Sequence, residues 1–153
     1  MQVESCALTE NESLADYEPR ALIVEDETLI AEELKERLER FGFYVIAAVD
    51  SAEEGIQIAT TERPDLVLMD VRLRGEKDGV QAAAEIRQRV DVPVIYLTAY
   101  SDHATLDRAK HTEPYGYVLK PFHERELQVT IELAMHRHAL ERKNRQTKQV
   151  GEV

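Results

Sequence analysis

Apolar and polar positions divide this chain into short apolar runs separated by longer amphipathic stretches. Ala21-Leu22-Ile23-Val24, Tyr44-Val45-Ile46-Ala47-Ala48-Val49, Leu66-Val67-Leu68-Met69, Val94-Ile95-Tyr96-Leu97 and Tyr117-Val118-Leu119 are apolar at successive positions. A half-buried strand alternates apolar and polar residues, so unbroken runs predict strands covered on both faces. Between the runs the period is helical. Ile30, Leu34, Leu38 and Phe41 form one stripe, stopped by Gly42. Ala52, Ile56 and Ala59 form the next, opened by the capping signature Ser51-Ala52-Glu53-Glu54 and ended before Pro64. Ala82, Ile86 and Val90 follow a cap at Asp78 with Gln81 three residues on. A short fourth helix, capped by Ser101 or Asp102, reaches about His111 with a thin apolar face of Ala104, Leu106 and Ala109. Few apolar contacts predict that it is weakly held. The last helix starts near Glu124 and runs well past Leu140, with Leu127, Ile131, Ala134 and Met135 toward the sheet.

Five β-α units in succession predict an α/β fold with a parallel sheet and helices on both faces. Five strands favour the flavodoxin-like, doubly wound order 2-1-3-4-5. That order makes strands one and three neighbours, with strands four and five beside them. Chemistry in such sheets collects at the carboxyl ends of the strands. The polar residues that end the runs then matter: Glu25 and Asp26 after the first, Asp70 after the third, Thr98 after the fourth and Lys120 after the fifth.

Taken singly, each of these residues has a bland explanation. An Asp at a strand end often caps a helix, early Glu and Asp suit a helix dipole, and a Lys there is usually solvated. Four of five strands ending in the same edge with complementary groups outweighs those explanations. Three converging carboxylates cannot all stay ionised unaided; a proton is shared or a cation sits among them. A hard cation such as Mg²⁺ (or Mn²⁺) takes oxygen ligands and often shares them with phosphate. Lys120 adds an ammonium and Thr98 a hydroxyl. These parts suit uptake of a phosphoryl group, with Asp70 as nucleophile forming an aspartyl phosphate.

Composition narrows the field. The chain has 153 residues, 43% hydrophobic and 32% charged, a normal balance for one domain with tails. Its 30 acidic and 19 basic residues give a net charge of −11, which disfavours direct nucleic-acid binding and adhesion to anionic membranes. No apolar run is long enough to span a bilayer, and the start of the chain lacks a signal-peptide pattern. Cys6 is the single cysteine, so no intrachain disulfide forms, and a cytoplasmic location is expected. The five histidines lack zinc-ligand spacing and read as ordinary surface or helix residues.

Leu22-Ile23-Val24-Glu25-Asp26, Leu66-Val67-Leu68-Met69-Asp70, Tyr96-Leu97-Thr98-Ala99 and Gly116-Tyr117-Val118-Leu119-Lys120-Pro121-Phe122 together resemble the receiver domain of two-component response regulators, of the stand-alone, chemotaxis-regulator-like type. The resemblance covers roughly Arg20 to Leu140. It implies that Asp70 accepts a phosphoryl group from a phosphohistidine on a sensor histidine kinase. It implies that Asp26 and Asp70 bind Mg²⁺ directly, Glu25 through water, and Arg72 through its backbone carbonyl. Thr98 and Lys120 would grip the phosphoryl oxygens. Thr98 and Tyr117 would then move, rearranging the face of the fourth helix, fifth strand and fifth helix for a downstream protein effector or a second copy of the chain. The protein would be a signalling switch that catalyses only its own aspartyl phosphorylation and dephosphorylation. The Lys120-Pro121 bond matches one that is cis in the family.

Some positions depart from the family pattern. Glu25 stands where Asp is frequent. Arg72 and Tyr100 occupy the positions that tune phosphate hydrolysis; both are large and are expected to shield the phosphate from water. His111-Thr112-Glu113-Pro114-Tyr115 replaces a small-residue turn. The expected domain plan is an acidic tail over residues 1–19, a receiver over 20–140, and a basic helical extension over 141–153. Arg137, Arg142, Lys143, Arg145 and Lys148 make the end of the last helix basic. Its stripe Leu133 and Leu140 is too short for a coiled coil, and phosphorylation-dependent dimerisation is the preferred use of that helix.

Three rival functions fit less well. A phosphohydrolase with an aspartyl nucleophile wants a second Asp two residues on, where this chain has Arg72. A flavin or nucleotide binder wants a phosphate-cradling loop after the first strand, where Glu25-Asp26-Glu27 would repel phosphate. A DNA-binding regulator is opposed by the acidic total and the missing reader domain.

Overall fold

The computed structural model describes residues 18–99 and 103–152, with side chains through Arg145. Five strands form one parallel sheet: β1 (Arg20–Val24), β2 (Tyr44–Val49), β3 (Leu66–Asp70), β4 (Val94–Ala99) and β5 (Gly116–Lys120). Their order is β2-β1-β3-β4-β5, as the alternation of apolar runs and helical stripes predicts. Between and after them lie α1 (Thr28–Arg40), α2 (Ala52–Glu62), α3 (Gly79–Arg89), α4 (His103–Lys110) and α5 (Glu124–Glu152).

The continuous apolar runs are explained by two cores. Successive strand side chains point to opposite faces, so each run supplies both sides. Leu22, Val24, Val67, Met69 and Tyr96 pack with Ala52 and Ile56 of α2, Ala82 and Ile86 of α3, and Ala109 of α4. Ala21, Ile23, Leu66, Leu68, Ile95, Leu97 and Val118 pack with Leu34 and Leu38 of α1 and Leu127 and Ile131 of α5. All five residues of β3 are buried, which makes it the centre of the molecule.

Helix boundaries follow the local chemistry. Phe41 ends α1, and Gly42 takes φ +95, a left-handed conformation that glycine adopts without penalty. Ser51 caps α2 by accepting from the Glu54 N–H. Asp78 and Gln81 form a reciprocal capping box at the start of α3. One helix departs from expectation. The inward positions of α4 are Thr105 and Ala109, and Ala104 is exposed. The small residues of this helix left its buried face ambiguous by one position. Arg108 ties α4 to the cap of α3 through Asp78, at 2.9 Å. The candidate caps Ser101 and Asp102 lie outside the described residues, as do Tyr100 and residues 1–17.

The edge of the sheet opposite the carboxyl ends holds a polar cluster. Tyr115 is buried there, with the Arg137 guanidinium 4.3 Å and that of Arg87 5.6 Å from its ring centroid. Its hydroxyl donates to Glu141, and the edge of its ring meets His138. His138 Nε2 lies 3.0 Å from Asp91 Oδ1, and Arg145 reaches Asp91 Oδ2 at 2.5 Å. Burial pushes the Asp91 carboxyl up, but His138 and the arginines outweigh it and leave it below its ordinary value. His138 is thus a buried helix residue held by Asp91. The cluster also explains the unusual turn before β5. Arg87 and Arg137 donate to the carbonyls of Glu113 and Pro114, and Thr112 pairs with the Tyr96 hydroxyl. A Tyr115→Ala variant should lose about 3 kcal/mol of stability, as aromatic truncation in a core does. A drop in the urea midpoint measures this; an unchanged midpoint would show that the cluster is dispensable.

Candidate acidic pocket at the carboxyl edge of the sheet

Strand order brings the polar terminators together. β1 lies beside β3, and Val24 pairs in register with Met69, so Glu25 and Asp26 emerge next to Asp70. β4 and β5 follow, with Asp70 opposite Leu97 and Ala99 opposite Lys120. One carboxylate oxygen from each of Glu25, Asp26 and Asp70 lies within 4.8 Å of the other two. Glu25 and Asp70 are 2% and 4% exposed, which makes the cluster a buried one. A cavity of about 340 Å³ opens over Asp26, Asp70, Arg72, Arg74 and Lys120.

Lys120 is the positive centre. Its Nζ stands 2.8 Å from Glu25 Oε1 and 2.9 Å from Asp70 Oδ2. Burial would lower the Lys120 ammonium, but the hydrogen bonds and charges of Glu25 and Asp70 prevail and hold it above its ordinary value. Asp70 Oδ1 accepts from the Arg72 N–H at 3.0 Å. Asp26 Oδ2 accepts from the Arg74 N–H at 3.1 Å, with the Arg74 guanidinium 3.6 Å away. Glu25 Oε2 accepts from the Glu27 N–H at 3.1 Å.

Glu25 carries the strain of this arrangement. Burial pushes its carboxyl up to about 7, and the neighbouring Asp70 adds to the rise while Lys120 opposes it. Its Oε1 is met only by the Lys120 ammonium among the described residues. One ammonium is shared by Glu25 and Asp70, and Asp26 beside them is met only by the exposed Arg74, so the cluster stays rich in carboxylate oxygens. An all-oxygen donor set of this kind fits a hard divalent cation. Glu25, Asp26 and Asp70 are the residues that could hold one.

The other expected site residues are placed as follows. Thr98 is fully buried at the end of β4, and its hydroxyl donates to the Ala99 carbonyl at 3.2 Å. Tyr117 is half-buried on β5, its ring 6.1 Å from that of Tyr96. The side chain of Arg72 is exposed at the cavity. The Lys120-Pro121 peptide bond is cis.

Gly79 supports the site and escaped the sequence reading. A Cβ on Gly79 would lie 1.7 Å from the Asp70 carbonyl oxygen. Only a hydrogen fits there, so the start of α3 rests directly on the backbone of Asp70. Its N–H donates to the Val71 carbonyl at 3.1 Å. The sequence signal was present in Asp78-Gly79, but it read only as a cap followed by an ordinary helix.

The model of the response regulator receiver domain matches residues 21–132. The chain belongs to the response regulator receiver family. The transcriptional regulatory protein PdtaR of Mycobacterium tuberculosis is 37% identical over 118 residues, which cover 77% of this chain and 57% of that protein. The phyllosphere-induced regulator PhyR of Methylorubrum extorquens is 33% identical over 125 residues, covering 81% of this chain and 46% of that protein. The chain thus spans about half the length of the curated relatives it matches. Among solved structures, the signal receiver domain of a modulated diguanylate cyclase from Desulfovibrio desulfuricans superposes with a TM-score of 0.77 at 39% identity, covering 82% of this chain and 99% of that one. The N-terminal domain of a response regulator/sensory box/GGDEF protein from Carboxydothermus hydrogenoformans gives 0.74 at 32% identity, covering 80% and 98%. The family is the receiver domain of two-component response regulators. Among the described residues, no helix is long and apolar enough to cross a membrane.

Proposed function

We propose that this receiver is phosphorylated on Asp70 by a sensor histidine kinase in a Mg²⁺-dependent reaction. The observation that carries the reading is the convergence of three carboxylates, two of them paired with Lys120, at the carboxyl edge. An Asp70 oxygen attacks the phosphorus of the phosphohistidine, the P–N bond breaks, and the histidine leaves with its electron pair. Asp26 and Asp70 would hold the metal directly and Glu25 through water, with the Arg72 carbonyl as a further ligand; the metal would neutralise charge on the transferring group. Lys120 is freed from its present partners to bind a phosphoryl oxygen. Thr98 turns its hydroxyl from the Ala99 carbonyl toward the phosphate, and Tyr117 follows inward. Arg72 and Tyr100 shield the phosphate from water.

The output is a change in the face built from α4, β5 and α5, read by a protein effector or by a second copy of the chain. Val129, Leu133 and Leu140 are exposed on α5, which supports a protein-binding role for that helix. The receiver spans residues 20–140 and acts in the cytoplasm; the last helix extends beyond it to Glu152.

Incubation with Mg²⁺ and a small acyl phosphate, followed by intact-mass measurement, tests the reading. The expected result is a gain of one phosphoryl group that is absent in Asp70→Asn and when the metal is chelated. An unmodified mass, or a gain that persists in Asp70→Asn, would overturn it.

A further inference from the structure

Away from the acidic pocket, at the opposite edge of the sheet, a cleft of about 420 Å³ lies between the end of α2, the loop before β4 and α5. Its floor is apolar, with Pro64, Val90, Val92 and Met135. Its two carboxylates are already engaged. Asp65 Oδ2 accepts from the Arg20 N–H at 2.7 Å, and Asp91 is held by His138 and Arg145. Its two guanidiniums are held less closely: the charge of Arg142 acts on the Asp91 carboxyl without a close ion pair, and Arg63 stands exposed at the rim. Arg63 closes α2 in a left-handed conformation at φ 48, which sets its side chain at the rim of the cleft. The cleft therefore offers an apolar floor with the positive charge of Arg63 and Arg142 beside it.

The chain itself carries a complementary segment that enters beside this cleft. Residues 1–18 contain Glu4, Glu10, Glu12, Asp16 and Glu18 and no Lys, Arg or His, so they hold −5 of the net charge of −11. They join β1 at Arg20. The Arg20 guanidinium is fastened to Glu62, through its carbonyl at 2.7 Å and Oε1 at 3.1 Å, and the Arg20 N–H to Asp65. The point of entry is thus clamped to the residues on either side of Arg63. An extended chain advances up to about 3.5 Å per residue, so the segment from Glu10 onward has a reach of roughly 30 Å. That is ample to cross the cleft and meet the basic stretch of α5. Leu14 and Tyr17 lie within the same segment and offer apolar side chains for the floor.

We propose that the acidic N-terminal segment docks on its own domain in the cleft of Arg63 and Arg142. Glu10, Glu12 and Asp16 pair with these arginines and the neighbouring basic residues of α5, and Leu14 and Tyr17 cover the floor. The contact is intramolecular, so tethering supplies a high effective concentration for what are individually weak, salt-screened pairs. It covers the basic end of α5 and competes with any acidic partner for that surface. The inference does not depend on phosphorylation of Asp70.

The single cysteine makes the test direct, because Cys6 takes a nitroxide label on the otherwise native chain. With the ¹⁵N-labelled full chain, the label should broaden the amides of Arg63, Asp91, Ala139 and Arg142 and leave those of Asp26 and Thr98 sharp. The broadening should disappear in Arg63→Glu with Arg142→Glu. It should also disappear in Glu10→Gln, Glu12→Gln, Asp16→Asn, which changes none of the described residues, and fade as NaCl is raised. Broadening that survives both sets of variants, or that centres on the carboxyl edge, would overturn the proposal. So would broadening seen only when labelled unenriched chain is mixed with unlabelled ¹⁵N chain, which assigns the contact to a second copy.

Discussion

Gly79→Ala is expected to be among the most damaging single substitutions in this receiver. The added methyl would sit 1.7 Å from the Asp70 carbonyl oxygen, far inside contact distance. The neighbour is backbone of a fully buried strand, so no side chain can swing aside. Either α3 backs away from the sheet or the end of β3 moves. Overpacking of a core costs about 1–3 kcal/mol when side chains can adjust, and a backbone clash belongs at or above the top of that range. Chemical denaturation should show the loss. The second consequence concerns chemistry: at a temperature where the variant is folded, phosphoryl uptake should fall, because the Asp70 carboxylate is displaced with its backbone. A control such as Ala83→Gly, which opens space in the same helix, should lose stability without a selective loss of uptake. Equal stability of Gly79→Ala and the parent protein would refute the close approach.

The stability of the metal-free protein should fall as pH rises from about 4.5 to 7. Burial and the Asp70 carboxylate push the Glu25 carboxyl up to about 7, against 4.5 for the free group. An acid whose folded value is raised binds its proton more tightly in the folded state. Its favourable contribution is complete below the unfolded value and is lost as pH climbs through the folded one. At about 1.4 kcal/mol per pH unit, the window is worth roughly 3 kcal/mol. Glu25→Gln removes the titrating group and should flatten this slope, raising the neutral-pH melting temperature of the metal-free protein. Addition of Mg²⁺ at neutral pH should restore stability to the parent and do less for the variant, since ligand binding stabilises the state that binds it. Thermal melts between pH 5 and 8 measure all three effects. A slope that is identical in Glu25→Gln would show that the titrating group lies elsewhere.

Much of the fold was legible because burial on both faces leaves an unmistakable trace. Runs such as Leu66-Val67-Leu68-Met69 admit few other environments, and helices between them demand a parallel sheet. The acidic pocket was legible for a related reason. Once strand order is known, the residue that ends each run has a known neighbour, so Glu25, Asp26, Asp70 and Lys120 could be brought together without coordinates. What stayed hidden depends on approach between segments distant in sequence. Gly79 looks like any glycine after a cap until the Asp70 carbonyl is placed against it. His138, Asp91 and Tyr115 look like scattered polar residues, because their partners lie far along the chain. In α4 the alternation of Ala, Thr and Leu does not distinguish one buried face from the next, and the expected register slipped from Ala104 to Thr105.

β5 has a mechanical consequence. Lys120 stands at one end of this strand, holding two carboxylates of the acidic pocket. Tyr115 precedes its other end, gripped by Arg87, Arg137, His138 and Glu141. An extended strand advances about 3.3 Å per residue and has almost no slack, so it behaves as a tie rod some 17 Å long. β5 is also bonded along its length to β4, from Gly116 opposite Ile95 to Lys120 opposite Ala99, so both ends of the strand sit in one frame. The acidic pocket and the part of α5 that carries Arg137 and Glu141 are thus anchored at opposite ends of one five-residue strand.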